Sequence, residues 1–125
     1  EPPACWDDNR YMSRRILRPA RDAHHAQIEL WHDYTLDMPV VVKRFSKRHH
    51  CFSQEEFQSQ YPYDLEDPWQ EFHVAQRLEQ LEPQGMPGVL TFYGGSLEQK
   101  RGDLLLVSEW FPGGDLFTYV PSYLK

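Results

Sequence analysis

The stretch Pro39-Val40-Val41-Val42-Lys43, followed by Arg44-Phe45, decides how the chain folds. Three consecutive β-branched residues are stiff at χ1 and favour a strand. An unbroken apolar run predicts a strand covered on both faces. A second stretch offers a partner for the lysine that closes it. Asp67-Pro68-Trp69-Gln70 starts a helix, with Asp as N-cap, Pro at the first helical position and Gln completing a capping-box-like pair. From Glu71, the spacing of Val74, Ala75, Leu78 and Leu81 puts four apolar residues and one carboxylate on one helix face. An unpaired buried charge costs several kcal/mol, on the order of 3–5, so Lys43 is the expected partner of Glu71. The pattern alone leaves a second arrangement open. Glu71 can sit in solvent and serve the helix dipole, and Lys43 can end its strand in water.

At 125 residues the chain is one domain or part of one. A chain of this size buries roughly 60–70% of its unfolded surface, enough for a core. With 13 Lys+Arg against 19 Asp+Glu, the net charge of −6 argues against non-specific nucleic-acid binding. The short basic pairs Arg14-Arg15 and Lys47-Arg48 read as solvated faces. Cys5 and Cys51 are too few for a disulfide scaffold and are expected as free thiols in a reducing, intracellular setting, the cytoplasm. No stretch approaches the roughly 18 apolar residues of a membrane span, so no membrane role is expected. The sequence begins at Glu1 without a methionine, and a processed product or fragment is expected.

Taken in order, residues 1–10 read as a lead-in segment in which Trp6 can pack on the domain. Strands are predicted over Tyr11–Leu17 and over Ala26–Trp31, the second with Ile28 and Leu30 alternating against Gln27 and Glu29. A turn over His32–Met38 leads to the strand ending at Lys43, and Ser46–His50 reads as a basic loop. Ser53-Gln54-Glu55-Glu56 is a capping box that predicts a short helix from Gln54 to about Gln60. The main helix is predicted from Pro68 to about Leu81. Val89–Tyr93 follows as a strand, Gly94-Gly95 as a turn, Glu98–Asp103 as a hairpin loop and Leu104–Trp110 as a buried strand. Asp115 can cap a helix through Val120. Three strands, a helix and two strands predict an α+β lobe: a five-stranded, mainly antiparallel sheet with one long helix against it.

In this order and spacing the residues resemble the N-terminal lobe of the eukaryotic protein kinases. Val40-Val41-Val42-Lys43 is similar to the family's VAIK strand. Glu71 matches the glutamate of the family's αC helix. Met86-Pro87-Gly88-Val89 and Leu90–Gly94 resemble the approach to the fourth strand and that strand. Leu104–Phe117 resembles the fifth strand, hinge and next helix, with the serine/threonine-type spacing from Ser108 to Asp115. The resemblance covers residues 11–120, an ATP-binding lobe, with 121–125 as the start of a connection to an absent C-lobe. It implies that Lys43 bridges the α- and β-phosphates of ATP and that Glu71 holds Lys43 in place. It further implies that Ile28 and Val41 roof the adenine, that the backbone of Glu109 and Phe111 bonds the adenine edge, that Asp115 faces the ribose or a basic substrate residue, and that Ser108 is a small gatekeeper. Each residue also has a plain structural reading: Ile28 and Val41 as core, Asp115 as an N-cap, Ser108 as a buried hydroxyl.

Two departures bear on activity. All seven glycines lie at Gly85 or later, so the family's glycine-rich loop is replaced by Ala20-Arg21-Asp22-Ala23-His24-His25-Ala26. Glycine there lets backbone approach phosphates, and side chains in its place weaken that grip. The His-Arg-Asp and Asp-Phe-Gly segments that hold the base and Mg²⁺ are not in these residues, so the chain alone is expected to be inactive. His24-His25 and His49-His50-Cys51 do not present a chelating set. The readings weighed are a serine/threonine-type kinase lobe acting on a protein substrate, a pseudokinase or kinase-derived module that binds a regulatory protein partner, and an unrelated small α+β binding domain.

Overall fold

The structure is a computed structural model and describes residues 3–20, 26–64, 66–81 and 92–110. The strands are β1 (Ala4–Cys5), β2 (Tyr11–Arg18), β3 (Gln27–Asp33), β4 (Met38–Phe45), β5 (Phe92–Leu97) and β6 (Leu104–Glu109). The helices are α1 (Lys47–His50), α2 (Gln54–Gln60) and α3 (Pro68–Leu81). The strands form one six-stranded mixed sheet in the order β1-β5-β6-β4-β3-β2, so the chain is α+β. Four of the five pairings are antiparallel, and only β1 with β5 is parallel.

The five expected strands are joined by a sixth. The lead-in segment pairs Ala4 with Ser96 and Cys5 with Leu97, and the Trp6 amide donates to Leu97 O at 2.9 Å. What holds it there is Trp6, which stacks on Tyr11 at 4.2 Å between ring centroids and meets Trp31 edge-on at 5.6 Å. Two residues with no strand pattern become a strand because their neighbour is buried.

β4 is covered on both faces, as its apolar run predicts. Val40 and Val42 pack with Trp6, Leu105 and Val107 on one face. Phe45 packs with Leu104, Leu106, Phe72, Trp69 and Phe57 on the other, under the helices. The alternation of side chains across the pleat sorts the two sets. Val41 and Lys43 share the helix-covered face with Phe45, and Arg44 points to the opposite one.

Two expectations are corrected here. Ser46–His50 is not a basic loop. Ser46 caps α1 by accepting from the His49 amide, and His49 and His50 are buried while Lys47 and Arg48 stay in solvent. Gly94-Gly95 is not a turn. Both lie inside β5, where Gly94 has φ 123° beside a register shift and Gly95 pairs with Leu106. Helix α2 has the predicted bounds, and its N-cap Ser53 accepts from the Glu56 amide. At the head of α3, Asp67 Oδ1 accepts from the amides of Trp69 at 3.0 Å and Gln70 at 3.1 Å. The strand expected at Val89–Tyr93 begins within the described residues at Phe92, and the helix expected after Asp115 lies outside them.

Candidate functional site

The register of the sheet places the site residues before any side-chain contact is considered. Ile28 lies opposite Lys43 across β3 and β4, and Leu30 opposite Val41. Across β4 and β6, Val41 lies opposite Ser108 and Lys43 opposite Leu106. Directly opposed residues in an antiparallel pair share a face. Ile28, Val41, Lys43 and Ser108 therefore line one face, the one α3 covers. Ile28 and Val41 are each 3% exposed and Ser108 is buried.

Lys43 reaches Glu71 on α3. Its Nζ donates to Glu71 Oε1 at 2.6 Å, with the two side chains 13% and 11% exposed. The pair anticipated from the two sequence patterns is thus formed, across 28 residues of chain. α1 and α2 occupy the intervening segment, which lies between β4 and α3. Burial pushes the Glu71 carboxyl above its ordinary range, and the neighbouring Lys43 only partly offsets this. Glu66 and Asp67, at the helix start, push it the same way as burial. The second oxygen, Oε2, is buried with no hydrogen-bond partner among the described residues. An ammonium has three N–H donors. Among the described residues Lys43 gives one to Glu71, which leaves two for anionic oxygens.

Glu109 lies opposite Val40, so its side chain belongs to the other face. Phe111 and Asp115 lie outside the described residues, as does the segment 21–25. Ala26, at the end of that segment, is fully buried in the core beneath the helices.

Sequence reasoning missed two parts of the surroundings. Among the described side chains of α3, Trp69 and Phe72, at 6% and 2% exposure, share the buried face with Glu71 and Ala75 of the expected stripe, while Val74 is only half-buried. The signal for the two aromatic residues was their i, i+3, i+6 spacing with Ala75. The second part lies behind the site. Arg44 Nε donates to Glu29 Oε2 at 2.7 Å, and its Nη1 donates to Glu98 Oε1 at 2.9 Å and Asp103 Oδ2 at 2.8 Å. Burial works against the Arg44 charge, but these three carboxylates outweigh it and raise its pKa further. Glu29, read from the alternation as solvent-facing, is buried by this network and by Trp31, whose Nε1 donates to Glu29 Oε1 at 2.7 Å.

No protein-family model matches the chain, and no curated protein matches it. Among the described residues no group of three or more His, Cys, Asp or Glu could hold a metal ion, and no helix is long and apolar enough to cross a membrane.

Proposed function

We propose that residues 11–120 form the nucleotide-binding lobe of a protein kinase of the serine/threonine type, with ATP as its ligand. One observation carries the reading: the Lys43 ammonium is held 2.6 Å from Glu71 on the sheet face that also presents Ile28, Val41 and Ser108. A buried carboxylate whose own burial disfavours its charge is a poor device for stability. It is a good device for fixing an ammonium where two phosphate oxygens arrive. In this reading Lys43 bridges the α- and β-phosphates, Glu71 orients it, and Ile28 and Val41 lie over the base. The Glu109 and Phe111 backbone bonds the base edge, Ser108 leaves space behind it, and Asp115 faces the ribose. Phosphoryl transfer to a protein substrate would require a C-lobe that brings Mg²⁺ and a catalytic base. An intracellular location belongs to the same reading.

A second reading keeps the lobe and drops catalysis: a pseudokinase, or a module that binds a regulatory protein. It is favoured by the absence of glycine from residues 20–26 and by Ala26, whose methyl group is packed in the core where the family's third glycine would leave space. Calorimetric titration with ATP, with and without Mg²⁺, separates the two. Saturable binding that Lys43→Met abolishes is the result expected of a nucleotide lobe. No ATP binding by the wild-type chain would overturn it.

A further inference from the structure

We infer that Gly95 is a positioning residue, a seat without a side chain that lets α3 descend far enough for Glu71 to reach Lys43. The inference rests on the nucleotide-lobe reading for its functional meaning but not for its geometry. A Cβ placed on Gly95 would lie 2.5 Å from Phe72 Cδ1, 2.8 Å from Phe72 Cε1 and 2.9 Å from Leu106 Cδ2. Real Cβ atoms do not come that close to other heavy atoms. The atoms it would meet belong to a rigid ring and a core leucine, so the strain cannot be relieved at the far end of a flexible chain. Phe72 is 2% exposed and is packed against Leu106 in the same cluster.

The register ties this seat to the ion pair. Gly95 lies opposite Leu106, and Leu106 lies opposite Lys43. The three occupy one row on one face, with Gly95 and Lys43 two strand spacings apart, about 10 Å. Phe72 and Glu71 are consecutive residues of α3, so their side chains leave the helix about 100° apart. Phe72 comes down over Gly95 at one end of the row while Glu71 comes down to Lys43 at the other. Lifting the ring off β5 lifts the first turn of α3, and the 2.6 Å contact is the first thing lost. Gly95 has no positive φ. Its backbone therefore does not require glycine, and the requirement is the close approach alone.

The test is Gly95→Ala, Gly95→Val and the double variant Gly95→Ala/Phe72→Val, which removes both clashing ring atoms and leaves the lesser contact with Leu106 Cδ2. Phe57→Val is the control, the buried core residue of α2 in the same cluster. Two measurements are made on each: the rate at which an amine-reactive ester modifies Lys43 at pH 7.5, read by peptide mass spectrometry, and the affinity for ATP. Gly95→Ala is expected to raise the Lys43 rate at least threefold and to weaken ATP binding about tenfold, with Gly95→Val more severe. The double variant is expected to return the Lys43 rate toward wild type. Phe57→Val is expected to lower the melting temperature and leave the Lys43 rate unchanged. A Lys43 rate that does not change in Gly95→Ala, or that rises equally in Phe57→Val, would overturn the inference. If no variant and no wild-type chain binds ATP, the nucleotide-lobe reading fails, while the Lys43 rates still decide the role of Gly95.

Discussion

Glu29 holds Arg44 at 2.7 Å on the side of the sheet opposite to that on which Glu71 holds Lys43 at 2.6 Å. Two adjacent cations on β4 thus pass through opposite faces, each to a carboxylate delivered by another element. The two pairs differ in kind. Arg44 meets three acids in a closed network, whereas Glu71 keeps one oxygen buried without a partner among the described residues. The first arrangement suits a structural anchor, and the second suits a site.

Lys43→Met and Glu71→Leu are each expected to cost about 3 kcal/mol, near the lower end for breaking a buried pair because both side chains retain some exposure. The double variant Lys43→Met/Glu71→Leu is expected to be no less stable than either single one, since it leaves no orphaned charge. Urea unfolding of the four proteins of the cycle gives the coupling directly. Additive losses would mean zero coupling, with the two side chains contributing independently rather than as a pair.

Arg44→Met leaves Glu29, Glu98 and Asp103 facing one another without their cation, and is expected to cost about 3–5 kcal/mol at pH 7. Salt screens the repulsion among the three acids, so part of the lost stability should return at high ionic strength. Arg44→Lys keeps the charge but cannot reach three acceptors with a planar fork, so an intermediate loss is expected. Unfolding free energies at pH 7, at low and at high salt, check both statements.

His50 is buried in one defined hydrogen-bonding state. Its Nδ1 accepts from the Phe52 amide at 3.0 Å, so its Nε2 donates to Gly102 O at 2.7 Å. A proton on Nδ1 would break the first bond, at a loop where Cys51 and Phe52 both have positive φ. Burial holds its pKa below the ordinary 6.5, with Gly102 O and Asp103 partly opposing. The unfolded chain thus takes up the proton first, and the stability His50 contributes above pH 6.5 is lost as pH falls through its lower folded value. Glu71, raised by burial, titrates with the opposite sign. The quantity to measure is therefore the pH dependence of wild type minus that of His50→Gln, between pH 8 and pH 5. A zero difference would remove His50 as the cause.

Trp6→Ala removes the ring that anchors the lead-in segment, and about 3 kcal/mol is expected to go with it. Since β1 makes only two pairings, it should detach. Proteolysis between Asp7 and Arg10 should then be much faster than in wild type, whereas unchanged cleavage would show that β1 stays in place without Trp6.

What could be read from the sequence was what lies within one element. The apolar run of β4, the capping box of α2 and the Asp-Pro start of α3 are local patterns with local causes. Lys43 and Glu71 were legible as a pair because each is conspicuous in its own element and costly if left alone. Gly94-Gly95 read as a turn because nothing local says that Phe72 needs the space over one of them. Glu29 read as exposed because its burial depends on Arg44, Glu98 and Asp103, the last two more than fifty residues further on than Arg44. Ser46–His50 read as a basic loop because two cations followed by two imidazoles give no local sign of which side chains turn inward. In each case the deciding neighbour is distant in the chain, and no periodicity reports it.

β2 closes one margin of the sheet, with Arg14 and Arg15 in solvent, no acidic residue along its length and two breaks in its register with β3. A long, flat, neutral margin would be a template on which a second copy could dock edge to edge. This one repels its own likeness by charge and by shape. The first defence weakens when salt screens it, and the second does not. Concentrated solutions of the chain should therefore keep their sheets apart even at high ionic strength.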